Sequence, residues 1–581
     1  MHTILRITLR FLLTILVTSF SLFARETGHS LSLSTVTFEP PSFSVRAMAE
    51  WEPLQGIMMT WDEMSDTASC EGCLPIDFIP VLTEIVRHAQ KHTRVFIICN
   101  DPSSAERYLR SAHVQPENVE LIRYGHNSVW ARDFGPWSVY HEKDMTFSLV
   151  DFLYSELRYL DDQVSRGISQ YLNVPLYEGS KIPNNIINDG GNFMVDGHGR
   201  AFTSKQFLQS NHKMNQSLLK ERLYRYMGID DLVILPWESG EHIDMYMKLL
   251  DEETLLVGEY PPDEENGLQI EPNLKHITSY LFTPYERPYR IFRVPMPNLR
   301  PGYYFSDQGG YRTYTNSIII NDLVLVPVFG LPEDAIALDI YRQAMPGYNI
   351  VGINCDELIL SAAGALHCMT REIGAAEPTL IQHGRLYGDE NQGNGFEVRA
   401  EIRSSKGIAE ASLWYRSKKN HYFEKIDMQQ ESTHVYTAKL PLLALGSTLQ
   451  YYIQASDQSG VITKKPLSAP DGYYEFTVKS ATAVKRSTSD YHLVHLTNFP
   501  NPFNLSTCIQ YTLPEPADSK VQIFNVRGSL IRSWEMFRVS GSHSLIWDGL
   551  DQNGEMVSSG TYFVRVQSRD QLWTRKILMI K

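Results

Sequence analysis

The chain has 581 residues, 43% of them hydrophobic and 21% charged, which is more than one core usually supports and belongs to a globular, multi-domain protein. Its formal net charge of -14 lacks the Lys/Arg surplus that phosphate neutralisation requires, so nucleic acid is excluded as an expected partner. The acidic field suits a cationic ligand, although plain solubility produces the same sign.

The first segment reads as an export signal. Arg6 and Arg10 precede the apolar run Phe11 to Val17, and Thr18, Ser19, Ser21 and Ala24 supply a small, polar cleavage region. That apolar core is too short to span a bilayer comfortably. Residues 1–24 are therefore read as a signal peptide and 25–46 as a spacer or propeptide, with the mature protein secreted or held at the outer cell surface. Cys70 and Cys73 form a CxxC without a second pair or a His at zinc spacing, which favours a local disulfide over a metal site. Cys99 ends the apolar run Val95 to Ile98 and reads as a core residue.

Residues 47–378 have a mixed α/β pattern. Ile76, Ile79, Leu82, Ile85, Val86 and Ala89 fall at helical spacing, and Arg94 to Ile98 follows as a buried strand. Further on, Ser317 to Ile320 and Leu323 to Val328 flank Asn321-Asp322 as a hairpin, followed by an amphipathic helix over Glu333 to Ala344 and a strand over Tyr348 to Ile353. Residues 383–479 then change character. Phe396 to Ile402, Glu410 to Arg416, His434 to Leu440, Leu449 to Ala455 and Tyr473 to Val478 are short alternating strands between turn-rich clusters, the pattern of a β-sandwich. A polar linker over 480–492 leads to a last β-module, 493–581, that opens with Asn498-Phe499-Pro500-Asn501-Pro502-Phe503-Asn504.

The chemistry-bearing residues all lie in the α/β region. Asp133 stands in Trp130-Ala131-Arg132-Asp133-Phe134-Gly135-Pro136, His242 and Asp244 in Gly240-Glu241-His242-Ile243-Asp244, and Cys368 in Gly364-Ala365-Leu366-His367-Cys368-Met369-Thr370. A thiol, an imidazole and two carboxylates are the groups needed to hold a guanidinium cation and attack its central carbon, which points to a deiminase of the arginine type. A planar cation with five N–H donors is best held by carboxylates on two edges. An imidazole can protonate departing ammonia and then deprotonate the hydrolytic water. Both carboxylates oppose thiolate formation in an empty site, so substrate binding is expected to help deprotonate Cys368. Cys355 lacks such partners and reads as structural.

Together with Asn188-Asp189-Gly190-Gly191-Asn192-Phe193 and Tyr314-Thr315-Asn316-Ser317, these segments resemble the agmatine deiminase and bacterial peptidylarginine deiminase family over roughly Met48 to Ile373. The resemblance implies the α/β fold of the guanidino-group-modifying enzymes, a five-bladed β/α propeller (pentein) with its site on the central axis, here followed by two all-β sandwich domains. It implies Cys368 as nucleophile, His242 as general acid and base, Asp133 and Asp244 as the guanidinium grip, and Asn316 beside the nucleophile. Trp130 suits either a cation–π contact on the guanidinium face or packing in the core, and the resemblance implies Gly190 and Gly191 as a tight turn lining the pocket, with Asn192 and Asp189 contacting substrate. Members usually carry Gly where Glu241 stands. The terminal module is similar to the C-terminal sorting domains of type IX secretion cargo, which implies the secretion machinery as a partner, and such proteins commonly place an immunoglobulin-like domain before it.

Secreted peptidylarginine deiminases of this kind use an Arg-Pro-Arg segment to bind a peptide's C-terminal carboxylate. Here the matching stretch is Tyr154-Ser155-Glu156-Leu157-Arg158, which keeps Arg158 and replaces the other arginine with Glu156, an anion that would weaken carboxylate binding. Peptidylarginine, free arginine and agmatine therefore all stand as substrates, and a surface binding protein without activity is the alternative from another class. No cofactor is implied, since the reaction is hydrolysis without redox change and no phosphate loop or calcium loop stands in the sequence.

Overall fold

From Val36 to Gly374 one unit recurs five times: two antiparallel strands, a helix, and a third strand parallel to the second. A crossover helix is the usual way to bring a strand back parallel to its predecessor. The structure, a computed structural model, describes residues 35–62, 77–155, 158–236, 242–260, 267–297, 312–362, 364–388, 395–479, 496–499, 501–504, 506–513, 517–538, 541–568 and 571–580. The signal peptide, Cys70 and Cys73, Glu156, Glu241 and the 480–492 linker lie outside the described residues.

Four units are continuous in sequence. Trp137–His141 and Phe147–Phe152 lead through helix Val164–Leu172 to Leu176–Gly179. Phe193–Val195 and Arg200–Thr203 lead through Gln216–Met227 to Asp231–Ile234. Met247–Asp251 and Thr254–Glu259 lead through Gly267–Tyr280 to Arg290–Pro295. Ile318–Ile320 and Leu323–Val328 lead through Glu333–Ala344 to Asn349–Asn354. The fifth unit joins both ends of the region: Arg371–Gly374 pairs antiparallel with Leu54–Trp61, which leads through Ile79–Ala89 to the parallel strand Arg94–Cys99.

Local chemistry accounts for these elements. Helix Ile79–Ala89 buries Leu82, Ile85, Val86 and Ala89 on one face, the 3.6-residue spacing visible in the sequence. Asn321 takes a φ of 54° in the turn before Leu323–Val328, the left-handed geometry that a two-residue hairpin turn demands. Helix Gln216–Met227 is capped by Asn215, whose Oδ1 accepts from Leu218 N at 2.8 Å. It ends at Gly228, where φ is 70° and a Cβ would stand 2.0 Å from Val45 O, so only glycine fits.

Two boundaries differ from the sequence reading. The expected spacer joins the fold before it ends: Val36–Thr37 pairs with Leu176 and Tyr177, and Val45–Ala47 pairs with Val139 to His141. These pieces are too short to show periodicity, and both serve to cover the edges of one sheet, Val36–Thr37 at one side and Val45–Ala47 at the other. Thr379–Gln382, which falls between the two expected domains, pairs with Glu401 to Ser404 and is part of the sandwich. The sandwich has a second sheet built on Ile408–Ser417 and Thr448–Asp457, and its core gathers Val398, Ile402, Leu413, Tyr451 and Ile453. The terminal β-module has its own core around Trp547, whose Nε1 donates to Leu550 O at 2.9 Å.

Candidate active site

All five motifs singled out in the sequence fall at one position of the repeat, directly before the first strand of a unit. Asp133 lies in the one-turn helix Ala131–Phe134 before Trp137–His141. Gly190–Asn192 precedes Phe193–Val195, and Ile243–Met245, carrying Asp244, precedes Met247–Asp251. Asn316 comes two residues before Ile318–Ile320, and Cys368 three before Arg371–Gly374. Equivalent points of repeated units meet at one end of their sheets.

The side chains close on one another there. Asn316 Nδ2 donates to Cys368 Sγ at 3.3 Å, and that sulfur lies 3.8 Å from Asp244 Oδ2. His242 Nδ1 is 3.6 Å from Asp133 Oδ1, which also accepts from Gly191 N at 3.1 Å. Gly191 is the point of convergence: a Cβ on it would lie 2.7 Å from His242 Nδ1 and 3.0 Å from both Asp133 Oδ1 and Asp244 Oδ2. Any side chain there would crowd the space between these groups. The Cys368 loop is anchored by Arg132, whose N donates to Cys368 O at 3.0 Å and whose Nη1 pairs with Glu372 at 2.6 Å.

Burial and charge drive the two aspartates apart. Burial pushes the Asp133 carboxyl up to about 6, with Asp189 and Asp244 adding to the shift and His242 opposing it. Burial alone would raise Asp244 too, but the hydrogen bond from His367 and the nearby cationic groups hold it below the ordinary carboxylate value. Burial likewise opposes charge on His242, yet Asp133 and Asp189 push it up to about 10, so the ring is protonated at neutral pH. The Cys368 thiol is raised well above its ordinary value by burial, then by Asp244 and Asp133. The empty site thus holds a neutral thiol facing a protonated imidazole and carboxylates of unequal acidity, a pairing typical of acid–base chemistry.

The sequence profile of the Porphyromonas-type peptidyl-arginine deiminases matches residues 46–373. The chain belongs to this family. The deiminase is accordingly a hydrolase acting on C–N bonds of linear amidines. A provisionally named agmatine deiminase of Vibrio parahaemolyticus is 24% identical over 361 residues, covering 56% of this chain and 96% of that protein. One from Lactococcus lactis is 23% identical over 367 residues, covering 57% and 96%. An X-ray structure bearing the same provisional name, 19% identical, aligns with a TM-score of 0.51 over 59% of this chain and 99% of the other, a likeness of fold. The FlgD Ig-like domain profile matches residues 505–571, so the immunoglobulin-like match falls on the last β-module of the deiminase, beyond the sandwich that precedes it.

The remaining expected residues take several places. Trp130 packs edge-on against Phe78 at 6.0 Å and lies over Gly364, where a Cβ would be 2.6 Å from Trp130 Cζ3 and 3.5 Å from Cys368 Cβ. Arg158 Nη1 donates to the Tyr154 hydroxyl at 3.0 Å. Burial and then the Asp133 carboxylate hold that hydroxyl's pKa above its ordinary value, which links Arg158 to the site through Tyr154. Asn192 Nδ2 donates to Ser204 Oγ at 2.9 Å, while its buried Oδ1 has no hydrogen-bond partner among the described residues. Cys99 and Cys355 are buried core thiols away from these partners, both pushed up by burial.

Sequence reasoning gave Asp189 a contact with substrate, and its Oδ2 is 3.7 Å from His242 Nε2. It passed over Glu50 and Lys248 and gave His367, quoted within the Cys368 motif, no role. His367 Nδ1 lies 2.7 Å from Asp244 Oδ2 and its Nε2 3.2 Å from Glu50 Oε2, while Lys248 Nζ reaches both Glu50 oxygens at 2.7 Å. Adjacency of His367 to Cys368 was the one available signal, and it carries no information about which way the ring turns.

Proposed function

We propose that this chain is an exported peptidylarginine deiminase-like hydrolase that converts a guanidinium group to a ureido group, releasing ammonia through a covalent Cys368 intermediate. The observation that supports it most is the meeting of Cys368, Asn316, His242, Asp133 and Asp244 around Gly191, from four hairpin entrances besides that of Gly191 itself. The five repeated units accord with a five-bladed β/α propeller that carries this site on its axis.

Asp133 and Asp244 each accept in-plane N–H bonds from one edge of the guanidinium, which presents its central carbon to Cys368 Sγ. Trp130 stacks over the cation's face. The bound cation offsets the two carboxylates, so the thiol releases its proton to solvent and the thiolate adds to the carbon. Protonated His242, steered by Asp189, gives its proton to one amino group. The C–N bond breaks and ammonia leaves a thiouronium attached to Cys368. Neutral His242 then takes a proton from water as the water oxygen bonds to carbon. Rupture of the C–S bond returns the thiolate, and loss of the remaining hydroxyl proton to solvent gives the ureido product.

Export is supported by Arg6, Arg10 and the apolar run to Val17, and delivery by a type IX secretion system by the Asn498 to Asn504 motif with the basic, apolar ending Arg575 to Lys581. These features favour a peptide substrate over a cytosolic metabolite. The agmatine reading stands as the second, because the single Arg158 is tied to Tyr154 and offers a carboxylate fewer donors than a pair of arginines. Colorimetric detection of ureido groups on peptides with internal or terminal arginine, free arginine and agmatine separates the readings, with Cys368→Ala as control. Peptide turnover that is lost in the control is expected. Turnover of agmatine alone gives the small-guanidine enzyme, and none on any guanidine leaves a binding protein.

A further inference from the structure

Glu50 and His367 take no part in the steps above, yet they stand directly behind one of the two substrate carboxylates. Asp244 is buried, and its Oδ2 is taken up by His367 Nδ1 at 2.7 Å. Its Oδ1, also buried, has no hydrogen-bond partner among the described residues. A carboxylate whose second oxygen is left unsatisfied in a buried position is costly unless something arrives to use it.

The His367 ring has no freedom to choose another partner. Its Nε2 lies 3.2 Å from Glu50 Oε2, so an acceptor oxygen holds the ring at each end and fixes its plane. Glu50 is fixed in turn by Lys248 Nζ, 2.7 Å from both its oxygens, and by the backbone N–H of Ile319 at 2.8 Å. Lys248 and Ile319 belong to the strands Met247–Asp251 and Ile318–Ile320, which are rigid supports of the kind that precise sites require.

We propose that Glu50 and His367 are positioning residues for guanidinium recognition. His367 holds Asp244 by Oδ2, the oxygen that lies 3.8 Å from Cys368 Sγ and nearest Gly191, and so fixes the carboxylate in the plane in which it meets the substrate cation, while Glu50 holds the His367 ring in place. This inference rests on the deiminase reading. It differs from a general structural role because only one end of the ring matters for substrate: the Nδ1 end that meets Asp244.

The test uses that asymmetry. An asparagine amide nitrogen falls near the place of Nδ1 and a glutamine amide nitrogen near that of Nε2, so His367→Asn retains a donor for Asp244 and His367→Gln retains one for Glu50 alone. KM and kcat are measured on the full chain with the guanidine substrate that the wild type turns over, alongside thermal melting. His367→Gln is expected to raise KM at least about tenfold, the scale of a lost hydrogen bond to a charged group, while His367→Asn stays within about threefold of wild type. Glu50→Gln, of unchanged shape, is expected to raise KM by several-fold. Equal KM values in the two His367 variants overturn the proposal, as does a fall in kcat alone. If the His367→Gln protein does not fold, an unchanged KM in Glu50→Gln overturns it instead. A wild type inactive on every guanidine overturns the deiminase reading and this role with it, whereas an active wild type with indifferent variants removes this role alone.

Discussion

Two histidines, a half-buried one in the α/β region and a buried one in the sandwich, separate the two regions better than any difference in composition. His383, in the sandwich, has both ring nitrogens met at hydrogen-bond distance, Nδ1 by Arg399 O at 2.7 Å and Nε2 by the Tyr451 hydroxyl at 2.9 Å. Burial pushes it down to about 4. His242 has carboxylates at 3.6 and 3.7 Å, near enough for charge but beyond a normal hydrogen bond, and is pushed up to about 10 against its burial. A satisfied ring is a structural part, and a charged ring with loosely held partners retains something to exchange. The strands repeat the contrast: Leu54–Trp61 and Phe147–Phe152 are buried almost throughout, as in sheets covered on both faces, whereas Glu397–Ser404 alternates. In the first region the site forms at the strand entrances, where Asp133, Asp244, Asn316 and Cys368 stand.

The largest effect should come from removing charge at such an entrance. Asp133→Asn deletes one edge of the proposed guanidinium grip and is expected to lower kcat/KM by about 10²-fold, with little change in melting temperature. Leu413→Ala empties a fully buried position of the sandwich and should do the opposite, costing about 2–5 kcal/mol of stability while leaving kcat/KM at 25 °C unchanged. Steady-state kinetics and denaturant melts on both variants check the pair. A large kinetic defect from Leu413→Ala would mean that the sandwich takes part in catalysis.

How far each region could be read from sequence follows from the same physics. Helix Glu333–Ala344 and the hairpin at Asn321 stand where periodicity and turn chemistry put them. The strands Glu424–Asp427 and Gln429–Ser432 escaped notice because nearly all their residues are exposed, so no face carries an apolar signal. The motifs holding Asp133, His242, Asp244, Asn316 and Cys368 were legible because each packs several uncommon residue types into a short stretch. That they sit at one point of a repeated unit was not, since the five hairpins share geometry without sharing sequence. The Glu50–His367 contact joins residues from opposite ends of the α/β region, which the pairing of Arg371–Gly374 with Leu54–Trp61 brings together.

Two glycines sharpen the comparison at smaller scale. At Gly191 an added Cβ meets the His242 ring at 2.7 Å and two carboxylate oxygens at 3.0 Å, so Gly191→Ala must displace these side chains and, with them in the proposed roles, is expected to lower kcat/KM at least about tenfold. Gly446 in the sandwich has a φ of 81° and nothing within 4 Å of its would-be Cβ. There Gly446→Ala should cost about 1–2 kcal/mol of stability through the left-handed backbone alone, with no kinetic effect. Kinetics and melting on both proteins decide it, and an active Gly191→Ala enzyme would place the substrate elsewhere.

The smallest predicted effect lies in the pH profile, and it probes the histidines directly. In the proposed mechanism Asp133 is ionised to hold a cation and His242 protonated to release ammonia, so kcat/KM should rise as pH climbs through about 6 and fall as it passes about 10. A rate that keeps rising above pH 10 would instead tie activity to thiolate already present in the free enzyme, since burial and the two carboxylates hold the Cys368 thiol high. Asp189→Asn removes one of the carboxylates that raise His242 and should move the alkaline limb down by about one pH unit. His383 responds in stability rather than rate: its folded pKa is depressed from 6.5 to about 4, so the stability present above pH 6.5 is lost as pH falls toward 4. An alkaline limb unmoved by Asp189→Asn would show that His242 keeps its proton without Asp189, leaving Asp133 as the carboxylate that sets its charge.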